Sequence, residues 1–94
     1  MAFEWDEAKR RTNLTKHGVD FAAVEAFAWA SVQEIEDRRK YYGEHRWVAA
    51  SMIGDRLHVL IYTRRNGRIR VISLRKASDK EMAEYESENQ TKHT

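Results

Sequence analysis

Arg65-Asn66-Gly67 is the segment that most constrains how this chain can fold. Asn-Gly tolerates the positive φ angles of a tight turn, and here it separates two apolar runs. Before it, Leu57 to Thr63 alternates, with Leu57, Val59 and Ile61 on one face and His58, Leu60 and Tyr62 on the other. After it, Ile69 to Leu74 is apolar on both faces, Ile69 and Val71 on one, Ile72 and Leu74 on the other. Such a run predicts a central strand. Arg46 to Ile53 adds a strand ahead of the Gly54-Asp55 turn, and Ser31 to Asp37 a weakly patterned one before the polar loop Arg38 to Glu44. An antiparallel meander is expected.

Helical signals flank the meander. Phe3-Glu4-Trp5 reads as a short edge strand, and Asp6 as an N-cap with Glu7 in the first turn. That helix should run to about His17, where Gly18 stops it by taking the left-handed conformation. Asp20 caps a second expected helix, with Phe21, Val24, Phe27 and Ala28 as its buried stripe and Val19 stapling against Val24. Ser78 and Glu81 form a capping box for a last helix with Met82 and Tyr85 inward. From Ser87 the sequence is polar and expected to fray. Strand, two helices, meander and closing helix make an α+β layer fold, with residues 1–94 as a single domain.

The chain has no cysteine, which removes disulfides, thiolate metal sites and cysteine nucleophiles, and favours a reducing, cytoplasmic setting. The N-terminus lacks the basic and apolar regions of a signal peptide, and no apolar run approaches the ~18–20 residues that cross a bilayer, so no membrane association is expected. The glycines Gly18, Gly43, Gly54 and Gly67 are isolated turn residues rather than a nucleotide cradle. His17, His45, His58 and His93 share no short ligand spacing, so neither metal nor cofactor is expected. His45 and His58 sit at strand positions flanking the Gly54 turn, so they could approach each other. Each is open to a structural reading or to acid–base work. Ser73 reads as a small strand residue, because no nucleophile elbow is present.

Charge is unevenly spread. The 17 Lys and Arg against 15 Asp and Glu leave a formal net of +2, yet Arg64 to Lys76 contains no acid. Arginine suits phosphate because its planar fork bonds two oxygens at once. RNA can be cut without a metal, since its own 2′-hydroxyl is the nucleophile. The enzyme must deprotonate that hydroxyl, stabilise the phosphorane and protonate the leaving oxygen. Arg46, Arg64, Arg70 and Arg75 offer charge for this, and Glu44, His45, His58 and Tyr62 offer proton transfer. The same residues equally suit a domain that binds nucleic acid or a partner without cutting.

Three stretches in register resemble the BrnT-like toxins of bacterial type II toxin–antitoxin systems. They are Phe3-Glu4-Trp5-Asp6-Glu7-Ala8-Lys9 with Asn13-Leu14-x-Lys16-His17-Gly18-Val19-x-Phe21; Asp37-Arg38 with Gly43-Glu44-His45-Arg46-Trp47; and Arg70 to Ala77 with Glu81 and Tyr85. Leu74 departs from the resemblance, standing where the family often has alanine. The resemblance implies a RelE-like fold and an endoribonuclease that arrests translation. It also implies neutralisation by a ribbon-helix-helix BrnA-like antitoxin, through which the pair represses its operon at operator DNA, in an arrangement that can be a heterotetramer. By position it implies that Arg75 stabilises the phosphate, that Arg46 and Arg64 clamp the RNA backbone, and that Glu44 transfers a proton. Glu44 has a second reading as an ion-pair partner of Arg38 or Arg46. Arg70, Tyr62 and His58 would contact substrate, and Arg65 and Arg68 at the hairpin tip would be ordinary surface charge.

Overall fold

The structure, a computed structural model, describes residues 1–92; His93 lies outside them. Five strands form one mixed sheet: β1 (Phe3–Glu4), β2 (Gln33–Glu36), β3 (Trp47–Ile53), β4 (Arg56–Arg65) and β5 (Arg68–Lys76), in the order β1-β5-β4-β3-β2. The meander β2 to β5 is antiparallel, as expected, and β1 adds to it in parallel by pairing with Ile69 and Arg70 of β5. Asn66 and Gly67, at φ 53° and 75°, make the β4–β5 turn.

Helix α1 (Glu7–His17) begins where Asp6 accepts from the amides of Ala8 and Lys9, and ends at Gly18 with φ 72°. Its outer surface is solvated. Its hold on the sheet is Asn13, which is buried. The Asn13 amide donates to the carbonyl of Leu74 at 2.7 Å and accepts from the Leu74 N–H at 3.3 Å. Leu74 lies past the end of β1, so this side chain takes the place of a missing strand neighbour.

The expected second α-helix is a six-residue 3₁₀ segment, Phe21–Ala26, followed by another at Trp29–Ser31. Asp20 caps it as read from the sequence, but Phe27 is already extended and bridges Ile53. Phe21, Val24 and Phe27 are buried nonetheless. They join Val19, Ala49, Leu60, Tyr62, Ile69, Val71 and Leu74 in the larger core. The Phe, Val, Leu and Ile side chains among them each contribute about 1.5–3 kcal/mol by leaving water.

The opposite face of the sheet is covered by α2 (Asp79–Lys92), which starts with the expected capping box: the Ser78 N–H donates to Glu81 and the Glu81 N–H donates to Ser78 Oγ. The helix continues to Lys92, past Ser87 where fraying was expected. Leu57, Val59, Ala77 and Tyr85 form the smaller core beneath it.

Register shifts between Ile61 and Tyr62 of β4, where Ile61 pairs with Ser73 and Tyr62 with Val71. Ile72 is therefore a bulged residue. The bulge changes the alternation of β5, so Ile69, Val71 and Leu74 all enter the larger core. It accounts for a strand that reads as apolar on both faces.

Candidate functional site

Alternation along β3 and β4 sorts the candidate residues onto two faces. Val48 and Ala50 of β3, and Leu57 and Val59 of β4, lie on the α2 side. Arg46, Thr63 and Arg65 follow the same parity. Arg70 pairs with Thr63, Ser73 with Ile61, and Arg75 with Val59, which places all three on that side as well. Thr63 and Arg70 pair across β4 and β5. Arg46 lies one residue before β3, where the β3–β4 ladder ends at Trp47↔Tyr62, and Glu44, reaching both Arg46 and Arg65, keeps it beside that row. Arg65 and Arg68 pair in the next row outward.

Carboxylates hold most of these guanidiniums. Glu44 lies between two of them, 2.9 Å from Arg65 and 3.8 Å from Arg46. The expected Glu44–Arg46 pairing is present, but Arg65 is the closer partner; Arg38 instead pairs with Glu36. Arg70 reaches Glu4 of β1 at 3.0 Å. Arg75 donates to both oxygens of Glu81, at 2.7 and 2.9 Å. That fork, with the Ser78 amide, lowers the Glu81 carboxyl to about 2 and raises the Arg75 guanidinium.

The loop between β2 and β3 adds residues that sequence reasoning left out. Asp37 is buried, and its carboxylate accepts from the Arg39 guanidinium and the Tyr42 hydroxyl. Chiefly because of Arg39, Asp37 is held far below the usual carboxylate range. The Arg46 guanidinium lies over the Tyr42 ring at 4.1 Å. Arg39 is near enough to act on Arg75 as a like charge. The Asp37-Arg38 dipeptide marked this loop in the sequence, but nothing there singled out Arg39.

Arg64, Tyr62 and His58 lie on the opposite face. Tyr62 is fully buried, and its hydroxyl donates to Glu34 of β2. Burial first, then the Glu34 carboxylate, raises its pKa to about 12. Arg64 sits above that ring and donates to the same hydroxyl at 3.3 Å. His58 is buried and donates from Nδ1 to the Arg56 carbonyl at 2.9 Å, a structural role. The approach of His45 and His58 that their strand positions allowed does not occur. The Thr63 hydroxyl donates to the His45 carbonyl, five residues along β4 from His58, or about 17 Å at strand rise. His45 instead pairs through Nδ1 with Glu36 at 2.6 Å and is 81% exposed in its side chain.

An arginine array on a half-covered sheet face can bind a polyanion and stabilise negative charge that develops on it. The whole of that array except its first row partner Glu4 falls within residues 5–81, which match the family described as BrnT, the ribonuclease toxin of type II toxin–antitoxin systems. The chain belongs to the BrnT family. No curated protein matches it. As a BrnT toxin of a type II system, it has a protein antitoxin as its counterpart. Among the described residues, no helix is long and apolar enough to cross a membrane, and no group of three His, Asp or Glu side chains is placed to hold a metal ion.

Proposed function

We propose that this BrnT chain is a metal-independent endoribonuclease of RelE-like fold that cuts RNA in the cytoplasm and so arrests translation. A BrnA-like ribbon-helix-helix antitoxin neutralises it, and the pair, as a heterotetramer, represses its own operon. The observation that carries the reading is the cluster of Arg46, Arg65 and Arg70 about Thr63 and Glu44, with Arg75 further along the same face. In the reaction, the RNA 2′-oxygen loses its proton and attacks the adjacent phosphorus. The 5′-oxygen bond breaks and takes up a proton, leaving a 2′,3′-cyclic phosphate and a 5′-hydroxyl.

Arg75 stabilises the phosphorane charge, while Arg46 and Arg70 hold the flanking backbone. Glu44 moves a proton. Phosphate oxygens replace the carboxylates that now occupy these guanidiniums, Glu81 on Arg75 and Glu4 on Arg70. Arg64 clamps RNA from the strand end on the other face, where Tyr62 supports it. Tyr62 and His58, being buried, act on substrate only through what they position.

Purified toxin incubated with RNA in excess EDTA should yield fragments ending in cyclic phosphate. Arg75→Ala should lower the rate about 10²–10³-fold, the size expected for loss of one donor to a developing charge. Intact RNA in the presence of folded protein would refute the enzyme reading. Binding that weakens with salt but leaves no products would instead support a non-catalytic binding module. The carboxylates already seated on Arg70 and Arg75 favour that second reading.

A further inference from the structure

Helix α2 covers only part of its sheet face. Beside it runs a groove of about 780 Å³, floored by Val48, Ala50 and Val59 and walled by α2. At its outer lip Ile35 of β2 is 70% exposed. A branched apolar side chain so exposed at the edge of a half-covered sheet face marks a layer left incomplete. The α2 wall presents Glu84 and Glu88, which have no ion-pair partner among the described residues. An acidic wall repels RNA phosphates and attracts Lys and Arg.

We infer that this groove seats an amphipathic helix of the protein antitoxin. The helix lies beside α2 on the sheet, its apolar stripe on Ile35, Val48 and Ala50 and its basic flank against Glu84 and Glu88. The inference rests on the antitoxin counterpart that membership of a type II toxin family brings, and not on RNA cleavage. Two helices side by side need about 8–10 Å between axes, which sets the incoming helix over the uncovered floor. Its far side then faces the Arg46–Arg70 cluster, so neutralisation follows by obstruction of the neighbouring arginines. An acidic segment seated on the arginines themselves is the competing arrangement.

Affinity for the cognate antitoxin, measured by calorimetry on the full-length toxin, tests this. Ile35→Lys and the double variant Glu84→Lys/Glu88→Lys should each weaken binding at least tenfold. Ile35 and the two glutamates are exposed, so thermal melting should stay near that of the parent. Unchanged affinity in both variants overturns the inference. So does a loss seen only in Arg46→Ala or Arg75→Ala, which would put the antitoxin on the arginines. A groove that serves self-association would appear as a toxin dimer abolished by Ile35→Lys, and this also overturns it. RNA cleavage by the same variants should be unchanged. If the parent toxin cleaves nothing, the enzyme reading fails while the affinity comparison still decides this one.

Discussion

The two faces of the sheet are built from the same strands with the same alternation, yet they end differently. On one, α1 and the 3₁₀ segments close over Phe21, Leu60, Tyr62 and Leu74, each fully buried or nearly so. On the other, α2 covers Leu57, Val59 and Ala77 and leaves the far half of the face to Arg46, Arg70, Arg65 and Arg68. The closed face supplies the stability on which the open face depends. Guanidiniums such as those of Arg70 and Arg75, held on a strand of a packed sheet, are more exactingly placed than the same residues on a loop.

That division can be broken from the closed side first. Phe21→Ala should cost about 3–5 kcal/mol in denaturant unfolding, because the side chain is fully buried in the larger core. A loss under about 1 kcal/mol would mean that the 3₁₀ segment is not what closes this face. Asn13→Ala comes next. It strips the Leu74 carbonyl and amide of their partner, and an unsatisfied buried group costs about 1–3 kcal/mol.

On the open side, acid should act through Glu81. Its carboxyl lies at about 2 against an ordinary 4.5, so the stability it lends is present above the ordinary value. That stability is lost as pH falls from about 4.5 toward 2. Arg75→Ala removes the chief cause of the depression and should flatten the acid limb of a stability–pH profile. An unchanged limb would show that the pair is not formed in solution. The smallest effect is expected of Arg68→Ala, within about 0.5 kcal/mol in stability. If Arg68 shares the RNA face as its pairing with Arg65 indicates, the salt dependence of RNA binding should fall by about one counterion.

Local signals were legible in the sequence and nonlocal ones were not. The Asp6 cap, the Gly18 stop, the Asn66-Gly67 turn and the Ser78–Glu81 box each depend on a few adjacent residues, and each is present. Phe21 to Ala28 has helical spacing, but packing draws Phe27 out to bridge Ile53, and the segment tightens to 3₁₀. The arginines were visible as residues but not as a constellation. Their faces depend on where the Ile72 bulge falls and on the β3–β4 register, both set by partners distant in the chain. Hence Arg64, grouped with Arg46 and Arg75 by the family resemblance, stands on the other face. Arg65, read as plain surface charge, stands beside Glu44.

Asn13 gives the molecule an internal gauge of its own integrity. The Leu74 amide has a side chain, not a strand, as its outward partner, and that side chain belongs to α1. Deuterium can reach this nitrogen only when α1 lifts from the sheet. Its exchange rate therefore reports the docking of one helix, even while the rest of β5 stays paired with β4.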